Sequence, residues 1–162
     1  MRIFKEEQRF NQPWIIVLLI ITTVPYIIII YKAFLKNKMS LFHCIIAIGF
    51  ILLVIGFIFV IKLKTRIDEI GIHYQFYPMH LKMRTIPWKD IKYAQTRTYN
   101  ALLEYGGWGL KNGGFFAKKG KAINIKGNIG IQLILIDNKK LLIGTQKKLD
   151  ADNVIGRYFH KH

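Results

Sequence analysis

The chain has 162 residues, 52% of them hydrophobic, a mean hydropathy of +0.23 and a formal net charge of +16. So basic a chain suits anionic partners: a lipid surface, nucleic acid or an acidic protein face. Its single cysteine, Cys44, excludes an intrachain disulfide framework and a Cys-based metal site within one chain.

Residues 1–13 mix both charges with Phe4 and Phe10 and read as a short amphipathic lead-in on the cytoplasmic side. Residues 14–31 follow without a charge, bordered by Trp14 at one end and Tyr26 and Tyr31 at the other. Aromatic rims suit headgroup depth, and no small-residue cleavage site follows, so this run reads as an anchor and not as a signal peptide. Pro25 predicts a kink, and the hydroxyl of Thr22 stands where it can help satisfy carbonyls freed by the missing amide.

After the short basic turn 32–40, residues 41–61 contain no Lys, Arg, Asp or Glu. A helix of that length covers roughly 30 Å, the hydrocarbon thickness of a bilayer. The two runs predict a transmembrane hairpin over 14–61. Gly49 and Gly56 offer close helix approach, to the first span or to another protomer. Arg2, Lys5, Arg9, Lys62, Lys64 and Arg66 flank the open end, against Lys32, Lys36 and Lys38 in the turn. This asymmetry predicts a multi-pass protein of the inner (cytoplasmic) membrane with both termini cytoplasmic, Lys62, Lys64 and Arg66 being the membrane-flanking cations.

Beyond Ile61 the apolar period changes to two, and residues 62–162 carry 19 Lys and Arg against 7 Asp and Glu. Strands are predicted at 62–67, 72–77 and around 82–86, then a fourth that Trp88-Lys89-Asp90-Ile91 leads into and that runs to about Tyr99, then at 121–125, 131–136 and 140–144. Between the two groups, residues 100–121 are glycine-rich, interleave aromatics with lysines and read as an extended loop or irregular hairpin. A closing helix over 147–160 places Leu149, Val154, Ile155, Tyr158 and Phe159 roughly on one side. The fold class expected is a membrane α-helical hairpin plus an α+β soluble domain over 62–162.

Four motifs carry a resemblance: Trp88-Lys89-Asp90-Ile91, Tyr105-Gly106-Gly107-Trp108-Gly109-Leu110, Gly127-Asn128-Ile129-Gly130-Ile131-Gln132-Leu133 and Ile143-Gly144-Thr145-Gln146. In order and spacing the chain resembles small bacterial membrane proteins that join a two-helix anchor to a pleckstrin-homology-like (PH-like) domain. The resemblance implies a seven-stranded antiparallel sandwich or barrel closed by a C-terminal helix, and an anchored scaffold or recognition module more than a defined reaction. Where that family commonly has a proline after the Thr-Gln pair, this chain has Lys147 and Lys148.

No catalytic constellation is expected. The carboxylates of 62–162 fall mostly at turns or helix starts, the histidines lack metal-ligand spacing, and Gly-Gly-Trp-Gly lacks both the P-loop and the dinucleotide pattern. No cofactor is implied. The chain therefore reads as a non-catalytic module. Trp108, Phe115 and Phe116 are placed to enter the headgroup layer while Lys111, Lys118, Lys119 and Lys121 meet anionic lipid, each cation contributing roughly 1 kcal/mol. The competing arrangement folds Trp108 and Tyr105 back onto the sheet and leaves the lysines solvated. In a different class, the domain makes protein contacts, as a homo-oligomer or as an accessory subunit of a larger membrane complex. Nucleic acid also accepts interleaved bases and aromatics, but the membrane tether ranks it third.

Overall fold

The structure, a computed structural model, describes residues 3–111 and 120–159. It divides into two compact units. One is formed by the helices, Phe10–Ile61; the other joins the residues up to Arg9 with those from Lys62 onward.

In the helical unit, α1 (Pro13–Leu35) and α2 (Leu41–Val60) pack on each other and enclose an apolar cleft of about 420 Å³ lined by Leu19, Thr22, Tyr26, Ala47, Phe50 and Val54 among others. Both helices are long and apolar enough to cross a membrane by length and composition. Proline at the first turn of α1 needs no amide partner there, which suits it to start the helix. The Thr22 hydroxyl donates to the carbonyls of Leu18 (2.8 Å) and Leu19 (3.1 Å). Its bonds therefore fall one turn before the carbonyl of Ile21, which is the one Pro25 frees, because a threonine side chain reaches back only three or four residues. A Cβ built on Gly49 or Gly56 meets nothing within 4 Å, so neither glycine mediates the contact of α2 with α1.

The second unit opens with a strand. Residues 4–9, expected as an amphipathic lead-in, form β1 (Phe4–Arg9), which pairs in full antiparallel register with β2 (Lys62–Ile67). Then come β3 (Gly71–Tyr77) and β4 (Arg84–Pro87), completing a four-stranded sheet in the order β1-β2-β3-β4. A 3-10 turn at Trp88–Asp90 leads into β5 (Ile91–Thr98). The five-stranded second sheet runs β5-β8-β9-β7-β6, with β6 at Gly109–Lys111, β7 at Lys121–Asn124, β8 at Ile129–Leu135 and β9 at Lys140–Gly144. The described residues thus hold nine strands where seven were expected, and one pair, β7 with β9, is parallel where all were expected antiparallel.

The glycine-rich segment is also more regular than a loop. It contains the short helix α3 (Ala101–Tyr105) and β6. The Asn100 side chain accepts from the amides of Leu102 and Leu103, and the Asn100 backbone amide in turn donates to the Glu104 carboxylate at 2.9 Å. Gly106, at φ +69°, ends the helix in the left-handed region.

The core of this unit is built from Leu63, Ile67, Ile72 and Phe76 of the first sheet and Ile123, Ile131, Leu133, Leu142 and Ile143 of the second, all at most 2% exposed. Burial of side chains of this size is worth roughly 1.5–3 kcal/mol apiece. The closing helix α4 (Lys148–Phe159) adds Ala151, Val154, Ile155 and Tyr158. Trp88 fixes it: the indole stacks on Tyr158 and lies 6.2 Å from Phe159, while its N–H donates to the Asp68 carbonyl at 2.8 Å. From β5, the Thr96 hydroxyl donates to Asp152 at 2.6 Å.

Candidate functional site

Strand alternation assigns β1 and β2 an inward and an outward face. Phe4, Gln8, Leu63, Thr65 and Ile67 are buried, which turns Lys5, Glu7 and Arg9 outward opposite Arg66, Lys64 and Lys62. Five cations thus share one sheet face with a single carboxylate from those strands. Glu7 lies between Arg9 (2.6 Å) and Lys64 (3.7 Å), and the hydrogen bond from Arg9, joined by the charges of Arg9, Lys64 and Lys62, holds its carboxyl below the usual range. Lys62 places its ammonium 5.4 Å from the ring centroid of Tyr77. A shallow depression of about 390 Å³ on this face is lined by Lys5, Glu7, Lys64, Arg66 and Met83 among others.

Arg66 is braced from below. Its guanidinium lies 2.8 Å from Asp68 Oδ2, and Asp68 Oδ1 accepts from the Ile70 amide (3.0 Å) and sits 2.9 Å from His73 Nε2. His73 Nδ1 in turn is 2.8 Å from the Thr85 hydroxyl. Burial pushes the Asp68 carboxyl up, but the His73 and Ile70 hydrogen bonds and the charges of His73 and Arg66 outweigh it and hold the carboxyl low. With its side chain 3% exposed, Asp68 stays ionised as a fixed counter-charge. Among the described residues no group of three His, Cys, Asp or Glu side chains is placed to hold a metal ion.

The residues expected in the glycine-rich segment are distributed differently. Phe115, Phe116, Lys118 and Lys119 lie outside the described residues. Trp108 packs against the cluster of Tyr99, Ala101, Tyr105, Ala122 and Leu142, and its indole N–H donates to the Gly127 carbonyl at 3.2 Å. Asn124 donates to the Tyr99 hydroxyl (2.9 Å) and accepts from the Gly109 amide (2.8 Å), so that, with the Trp108 bond to Gly127, two of the sequence motifs are tied into one network. Burial, against the Asn124 hydrogen bond, pushes the Tyr99 phenol up to about 12. Lys111 is the register partner of buried Ala122 and shares its face; Lys121, one residue earlier, belongs to the opposite face. These two lysines therefore do not form one patch.

Lys5 and Arg9, counted in the sequence only toward membrane topology, are the members of the basic face that were not expected on a strand beside Lys62, Lys64 and Arg66. The alternation in Phe4–Arg9 was the available signal, masked because two of its inward positions are the polar Glu6 and Gln8. Both have partners at the end of β9 in the second sheet or just beyond it. Gln8 donates to the Gly144 carbonyl at 2.9 Å, and Glu6 accepts from the Thr145 hydroxyl at 2.6 Å and the Gln146 amide at 2.8 Å. Gln146 then donates to the Lys126 carbonyl at 2.9 Å. Its side chain fills the space beside Gly127, where φ is +74° and a Cβ would lie 2.4 Å from the amide nitrogen.

Comparison with protein-family models, with curated proteins and with solved structures found no match to this chain.

Proposed function

We propose that the chain is a non-catalytic, membrane-anchored recognition or scaffold module with a PH-like domain, held at the cytoplasmic face of the inner membrane and contacting anionic lipid headgroups. One observation carries this reading: Arg9 and Lys62 are register partners, so the chain leaves the sheet for α1 and re-enters it from α2 at adjacent positions. The strands before and after the apolar hairpin thus belong to one domain, and its cations Lys5, Arg9, Lys62, Lys64 and Arg66 lie on those two strands. The excess of basic residues at the open end favours the cytoplasmic side. Two successive sheets with a closing helix support the PH-like reading.

The test is thermal unfolding of the full chain in nanodiscs of neutral lipid and of neutral lipid mixed with phosphatidylglycerol. Stabilisation by the anionic lipid is expected, and it should fade at high salt and in the variant with all five cations replaced by Gln. Equal melting in both lipids would overturn the lipid reading. The protein-contact alternative draws on Leu102 and Leu103, adjacent on α3 and 60% and 76% exposed. It requires a defined oligomer or a co-purifying partner, lost when both become Ser, and a monodisperse monomer overturns it.

A further inference from the structure

The turn between β3 and β4 presents apolar side chains that the fold does not use. Met79 and Leu81 are 50% and 77% exposed, and Lys82 stands beside them, also exposed. The turn is nonetheless tightly held. Between these two residues His80 is buried, its amide donating to the Phe76 carbonyl at 2.7 Å and its ring edge-on to Tyr74 at 5.8 Å. Gln75 donates to the Leu81 carbonyl at 2.9 Å. Burial of the imidazole, with Arg84 nearby, holds His80 below its usual pKa and keeps it neutral in this apolar seat. Met79 and Leu81 are therefore fixed on the two sides of a pinned residue, turned away from the core.

Register shows which end of the sheet this is. Tyr77, the last residue of β3, pairs with Lys62, which pairs on its other side with Arg9. The tip thus projects from the end of the sheet at which the chain passes into α1 and returns from α2, with Ile61 alone between α2 and β2. Apolar side chains flanked by Lys62 and Lys82 match the interfacial layer of an anionic bilayer, apolar below and phosphate-bearing above.

We propose that residues 78–83 form an interfacial lipid contact in which Met79 and Leu81 enter the headgroup–acyl boundary and Lys62 and Lys82 meet the phosphates. This rests on the reading of the helical hairpin as the membrane anchor, and the test separates the two. In the full chain with Cys44→Ser, single cysteines at Leu81→Cys, Leu53→Cys and Leu103→Cys are spin-labelled. The proteins are reconstituted in vesicles of phosphatidylcholine with phosphatidylglycerol, and accessibility to oxygen is compared with that to a water-soluble nickel chelate. The label at 53, on α2, should favour oxygen strongly, the label at 103 should favour nickel, and the label at 81 should shift toward oxygen relative to 103. A label at 81 as open to nickel as that at 103, with 53 in lipid, overturns the inference alone. A label at 53 open to nickel overturns the anchor and the inference with it. As a second readout, Met79→Ser with Leu81→Ser, both at exposed positions, should leave the fold intact and increase nickel access at a label on Lys82→Cys.

Discussion

The Thr145 hydroxyl donates a 2.6 Å hydrogen bond to Glu6 Oε2, joining residues 139 positions apart in the chain. Thr145 is fully buried, and the same carboxylate receives the Gln146 amide. Hydrogen bonds to a charged acceptor contribute about 1.5–3 kcal/mol, and removing one partner leaves the other desolvated. Thr145→Val and Glu6→Ala should each destabilise the full chain in micelles by about that amount. A double-mutant cycle on thermal unfolding should return a coupling of about 1 kcal/mol or more. Additive effects would show that the bond does not hold β1 in place.

Because Arg9 and Lys62 face each other across β1 and β2, a tight turn can replace everything between them. Substituting Asn-Gly for residues 10–61 should give a soluble, folded domain, since that dipeptide favours the two-residue hairpin turn. A fragment beginning at Lys62 lacks β1, and loses Phe4, which is 4% exposed. Loss of one such ring costs about 3–5 kcal/mol. Circular dichroism and denaturant titration of the two fragments should rank them in that order.

Acid should act through Asp68. Its carboxyl is held below the ordinary value of 3.8, so the folded state binds fewer protons there than the unfolded chain. The stability it contributes is complete above 3.8 and disappears as pH falls through the lowered folded value. Asp68→Asn should cost about 1.5–3 kcal/mol near neutrality, as Arg66, the His73 ring and the Ile70 amide lose their charged partner. It should also flatten this part of the acid limb in a stability–pH profile.

Gly49→Ala and Gly56→Ala should raise the melting temperature of the monomer in micelles. Each added methyl enters open space, and alanine is favoured over glycine in a helix interior by about 0.5–1 kcal/mol. A fall in melting temperature instead, accompanied by loss of an oligomer, would show that a second copy packs on that face.

The parts of the fold legible in the sequence are those with unbroken periodicity. Residues 14–31 and 41–61 announced their helices by composition, although α1 runs on to Leu35 because Lys32 and Phe34 remain compatible with a helix end near water. Leu63, Ile67, Ile72 and Phe76 announced their strands by alternation. Glu6 and Gln8 hid β1, since their inward orientation depends on Gly144, Thr145 and Gln146, and no local pattern encodes a partner that distant. At five residues α3 is too short for a periodic signal, and its caps, Asn100 and Gly106, are equally common in the loop that was expected there. The lysines near the glycine-rich segment looked like a patch because proximity in sequence conceals the alternation that sends Lys111 and Lys121 to opposite faces.

The pairing of β1 with β2 also bears on the order in which the chain is made. β1 emerges before its neighbour, which follows only after both helices, and the acceptor for Gln8 and the Thr145 donor for Glu6 come 136 and 139 residues later. Closing so long an interval carries an entropic cost that grows with the logarithm of its length. A helical hairpin that folds back on itself returns its ends to one place and shortens the effective interval before the sheet forms. During that wait Glu6 and Gln8 keep the future inner face of β1 polar, which makes the unpaired strand a poor template for aggregation.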